Sequence, residues 1–91
     1  MKKIDKNYLV LCKRLFVILP RLRKFTTDKM IITCVSSSCN IDYKDWKSTY
    51  SFCLNDKALK LFDDLDSIVR GLLPYLTEET IMQLCNYGGN V

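Results

Sequence analysis

Apolar side chains recur at helical spacing between Asn55 and Pro74, and this is the best-defined pattern in the chain. At about 100° per residue, Ala58, Leu61, Phe62, Leu65, Ile68, Val69 and Leu72 fall on one side, while Lys57, Lys60, Asp63, Asp64, Ser67 and Arg70 fall on the other. The spacing predicts an amphipathic helix. Asn55 or Asp56 can accept a hydrogen bond from a first-turn N–H, and Pro74 turns the residue before it away from helical geometry. A seam this apolar needs the rest of the chain to bury it.

Near the N-terminus, Ile4, Tyr8, Leu11, Leu15, Ile18, Leu19 and Leu22 share one arc of a helical wheel. Lys2, Lys3, Lys6, Lys13, Arg14, Arg21 and Lys24 share another, into which Val10 and Val17 intrude. A first helix is expected over about 5–19, ended by Pro20 or kinked there with a further turn through Lys24.

The middle third is ambiguous. Thr26, Thr27 and Asp28 form a polar start signal before the run Met30, Ile31, Ile32, Thr33, Cys34 and Val35. Its β-branched content suits a strand and its capping residues suit a helix. A helix is preferred, because the one candidate partner strand is Thr49 to Leu54. That segment also reads helically through Trp46, Tyr50, Cys53 and Leu54. A short strand pair within 30–54 is the alternative. Ser36, Ser37, Ser38, Cys39 and Asn40 read as a loop. After Pro74, Thr77 caps a last helix of about Glu78 to Asn86 that buries Ile81, Leu84 and Cys85, with Gly88 or Gly89 closing it.

These elements predict an all-α fold: a single domain over 1–91, built as a small bundle of four or five short helices. The length supports one core, and 48% hydrophobic with 26% charged residues is an ordinary globular composition. Leu11, Leu15, Leu19, Ile31, Trp46, Ile81 and Leu84 are expected to pack around the central helix.

Candidate chemistry is sparse. The chain has no histidine, which removes the commonest acid or base near neutral pH. There is no glycine-rich phosphate loop. Five cysteines, Cys12, Cys34, Cys39, Cys53 and Cys85, contain one closely spaced pair, Cys34 and Cys39, where a thiolate metal site wants two. They read as free thiols of a reducing compartment, with Cys39 the most exposed. Asp63, Asp64 and Asp66 point apart on a helix and do not converge as cation ligands. No catalytic residue, cofactor, metal or small-molecule substrate is therefore expected, and the chain is read as non-enzymatic.

Charge is unevenly spread. Residues 1–29 hold nine Lys/Arg and two Asp, a net +7, and residues 30–91 hold five Lys/Arg and eight Asp/Glu, a net −3. Three functions follow. The first is protein–protein interaction, with a host protein or by homodimer formation through Tyr8, Leu11, Leu15, Ile18 and Leu22. The second is sequence-independent RNA binding through Lys2, Lys3, Lys6, Lys13, Arg14, Arg21, Arg23 and Lys24. The third is attachment to an anionic membrane surface by the same helix. A core helix with a solvated basic face is the plain alternative to all three. Lys13 and Arg14 interrupt the N-terminal apolar run, unlike a secretory signal, so a cytoplasmic location is expected. One alanine and many residues of AT-rich codons suggest a small accessory protein of an AT-rich virus.

Overall fold

The computed structural model of the chain describes residues 5–87. Within them lie five helices and no strand: α1 (Lys6–Arg23), α2 (Asp28–Cys39), α3 (Tyr43–Tyr50), α4 (Asp56–Leu72) and α5 (Glu78–Tyr87). α4 is the axis of the bundle. It packs against α1 on one side and α2 on the other, and α2 in turn carries α3 and α5.

The central helix starts as its sequence dictates, with Asn55 Oδ1 accepting from the Ala58 N–H at 2.8 Å. Ala58, Phe62, Leu65, Ile68, Val69 and Leu72 are all buried, and Leu61 is half-buried at the edge of the seam. From α1, Leu11, Leu15, Ile18, Leu19 and Leu22 close over this seam, and Ile31, Cys34 and Val35 do so from α2; Ile81 and Cys85 of α5 are buried in the same core. Leu84 is half-buried. Gly71 lets α1 come close: a Cβ there would lie 3.0 Å from Leu11 Cδ1.

One local expectation is corrected and two alternatives are decided. Pro20 does not end α1, which continues to Arg23. The proline's fixed φ is helical, and its ring costs one backbone hydrogen bond; burying Leu22 in the core holds the extra turn. The serine cluster is not a loop, because α2 runs through it to Cys39. Ser37 Oγ donates to the Thr33 carbonyl at 2.9 Å and Thr33 Oγ1 to that of Lys29 at 2.7 Å, so these hydroxyls are satisfied inside the helix. The possible strand partners 30–35 and 49–54 are helical in α2 and at the end of α3, with a turn over 51–54. Gly88 and Gly89 lie outside the described residues.

α3 is held by aromatic packing. The Trp46 ring stands 4.7 Å from that of Phe62, 5.7 Å from Tyr43 and 5.0 Å from Tyr50, centroid to centroid, distances at which tilted and offset pairs attract. Between α2 and α3 the chain turns through Ile41, whose φ is 68°. The Asp42 N–H bonds to the Ser37 carbonyl at 2.9 Å, the six-to-one closure that places a left-handed residue just past a helix end. Glycine usually fills that place, and a β-branched residue there is strained.

Phe62→Ala should cost about 3–5 kcal/mol, read as a lowered urea midpoint. Ile41→Gly should act in the opposite sense and stabilise by about 1 kcal/mol. A lowered midpoint for the glycine variant would show that the Ile41 side chain supports the monomer.

Candidate functional site: a cationic groove between α1 and α4

α1 and α4 run antiparallel. At one end Tyr75 Oη, just past α4, donates to Asp5 Oδ2 at 2.8 Å; at the other, the last turn of α1 lies beside the first turns of α4. Their inner arcs meet in the core, so the flanks above the seam diverge and leave a groove. One part, about 260 Å³, is lined by Lys13, Arg14, Val17, Ile18, Arg21, Leu61, Asp64 and Ile68. An adjoining part, about 570 Å³, is lined by Arg21, Lys24, Phe25, Lys57, Lys60, Leu61 and Asp64. Arg21, Leu61 and Asp64 belong to both, which makes the two parts continuous.

The rim carries six cations, Lys13, Arg14, Arg21, Lys24, Lys57 and Lys60, against one carboxylate, Asp64. Among the described residues the ion pairs are Arg23–Asp28, Lys47–Asp63 and Arg70–Asp66, so none of the six has a carboxylate within 4 Å. Lys57 and Lys60 stand in the first turns of α4, where the helix dipole disfavours positive charge. The floor is apolar: Val17 is 56% and Phe25 43% exposed, and Leu61 is half-buried between them. Val10, half exposed, lies two turns before Val17 on the same flank of α1. Such a surface suits a partner that presents negative charge around apolar side chains.

The structure sorts the residues expected to bind. Lys6, Lys13, Arg14, Arg21 and Lys24 are exposed, and the last four line the groove. Arg23 is committed elsewhere. Its Nε donates to Asp28 Oδ1 at 2.7 Å and its Nη2 to the Cys85 carbonyl at 2.9 Å, which ties α1 to α2 and α5. Lys2 and Lys3 lie outside the described residues. Leu11, Leu15, Ile18 and Leu22, expected to face a second copy or lipid, are buried within their own chain, and Tyr8 is half-buried against Tyr75. The α4 seam needs that arc of α1, so the arc is not free for another molecule. Lys57 and Lys60, which the sequence places on the polar side of α4, line the groove as well, a placement the sequence reading missed. Two lysines three apart in the opening turns of a helix, against its dipole, were the available signal.

The thiols do not form a second site. Cys34 and Cys85 are buried, Cys12 and Cys39 half-buried, and Cys53, in the turn before α4, is exposed, in place of the exposed Cys39 that was expected. Burial pushes the Cys34 thiol well above its usual range, and that of Cys85 from 9.0 up to about 11. Tyr43 is raised too, by burial and by its hydroxyl's 2.6 Å hydrogen bond to the Asp63 carboxylate. No helix among the described residues is long and apolar enough to cross a membrane. No family model, curated protein or solved structure matches the chain.

Alkylation at neutral pH should label Cys53 first and Cys34 and Cys85 last, with mass mapping as the readout; early labelling of Cys34 would contradict its burial. A folded pKa above the unfolded one means that the native state holds its proton longer. The stabilisation from Cys85 is then complete below pH 9.0 and lost as pH rises through about 11. Urea midpoints should fall across that interval, and fall less steeply for Cys85→Ala.

Proposed function

We propose that the protein is a non-catalytic protein-binding module, acting by self-association or on another protein, with the groove between α1 and α4 as its contact surface. One observation carries this reading: six lysine and arginine side chains without ion pairs to the described residues surround an apolar floor on a surface of two helices. Solvated charge alone accounts for the cations and leaves the exposed Val17 and Phe25 without a role. A partner that pairs with the rim and covers the floor uses both.

A second reading, RNA held in the same groove, is favoured by the spread of cations over both helices. It would rest on phosphate contacts, because the groove offers Phe25 as its one aromatic ring for stacking. Membrane attachment by α1 has less support, because Leu11, Leu15, Ile18 and Leu22 are buried and Phe16 is left as the exposed residue of that reading.

A short amphipathic peptide of glutamate and leucine separates the two, set beside random single-stranded RNA. The peptide should bind, retain part of its affinity at high salt through the floor, and bind at least about tenfold more weakly to the Lys57→Glu/Lys60→Glu variant. An RNA shift that disappears with added salt, with no peptide binding, would replace the first reading by the second.

A further inference from the structure

We propose that the groove is filled by the turn between α2 and α3 of a second copy of this chain, with Ile41 as the inserted side chain, so that copies join head to tail. The proposal rests on the groove being a protein-binding surface and names its occupant.

Ile41 is 78% exposed and holds a φ of 68°. At that place the fold alone favours glycine, since an isoleucine there adds strain and buries almost nothing. The side chain is held out from the surface by a turn that its own hydrogen bonds define. Around it the surface is acidic. Asp42 follows it directly, Asp45 lies in the first turn of α3, and Asn40 Nδ2 donates to Glu78 Oε1 at 3.1 Å, which brings Glu78 and Glu79 beside the turn. Lys44 lies among these four carboxylates and Arg70 acts with Glu78 on the neighbouring Cys39 thiol, yet none of the four has a Lys or Arg partner within 4 Å among the described residues. An apolar side chain ringed by unpaired acids is thus matched to an apolar floor ringed by unpaired cations.

The two surfaces lie on different faces of the bundle, the groove between α1 and α4 and the Ile41 turn between α2 and α3. α3, which follows that turn, meets α4 through Phe62 and Asp63, and Asn40, just before it, reaches Glu78 at the start of α5. A chain cannot fill its own groove with its own Ile41. Two grooves meeting about a two-fold axis would oppose cations to cations, which is unfavourable. Unlike surfaces on different faces join copies head to tail, as an open array or a closed ring.

Sedimentation velocity over a concentration series tests this with two variants. Wild-type protein should grow past the dimer as concentration rises, and less so at high salt. Ile41→Gly, with its groove intact, should melt no lower than wild type yet associate at least about tenfold more weakly. Lys57→Glu/Lys60→Glu, with its acidic turn intact, should lose association to a similar extent. Mixed in equal amounts, the two variants should form a one-to-one pair that grows no further, because each supplies the surface the other lacks. A wild type that stays monomeric at every concentration, or an Ile41→Gly protein that assembles as wild type does, overturns the proposal. The glutamate–leucine peptide then separates the causes. If it binds wild type and not the lysine variant, the head-to-tail contact is wrong and the groove reading stands; if it binds neither, both fall.

Discussion

The packing of α1 onto the apolar seam of α4 is the contact on which the other features depend. Phe62, Leu65, Val69 and Leu72 on one helix and Leu15, Leu19 and Leu22 on the other are withdrawn from water altogether. At about 25 cal/mol per Å² of apolar surface, this burial is a large driving term for so small a chain. It also decides what is left outside. The leucine-rich arc of α1 is consumed by the core, and only the flanks of the two helices remain to meet another molecule.

Those flanks are unlike a surface made merely to stay dissolved. Charged residues that only keep a small domain soluble are commonly mixed in sign. Here six cations border one groove without ion pairs to the described residues, and Asp64 is the one carboxylate that lines it. Asp63 is engaged by Tyr43 and Lys47, Asp66 by Arg70 and Asp28 by Arg23. The separation of charge along the sequence thus becomes a separation in space, with the basic groove between α1 and α4 and the acidic turn between α2 and α3.

Ile41 and Arg23 show how local rules yield to tertiary ones. A sequence-level reading ranks Arg23 with the other basic residues of the first helix, yet its guanidinium bridges three helices and is withheld from solvent partners. Ile41 is the reverse case: a strained, exposed side chain that contributes little to the core of its own chain.

Much of the fold was legible because helical periodicity is a local property. The seam of α4, its Asn55 cap, the apolar arc of α1 and the start of α5 at Thr77 each follow from residues within a few turns of one another. Whether α1 stops at Pro20 or passes it was left open by the sequence, and the helical serines of α2 were not legible. Propensity disfavours both, and distant packing outweighs it, through Leu22 in one case and through Cys34, Val35 and Ser38 in the other. Of the candidate site, the sequence determined that the first helix is basic and that Val10 and Val17 interrupt its basic face. Only tertiary structure decided that Lys57 and Lys60 join that face, that Arg23 leaves it and that Leu11, Leu15, Ile18 and Leu22 are already covered. The reason is physical: a wheel drawn for one helix gives directions around its own axis, while a groove exists only once a second helix lies beside it.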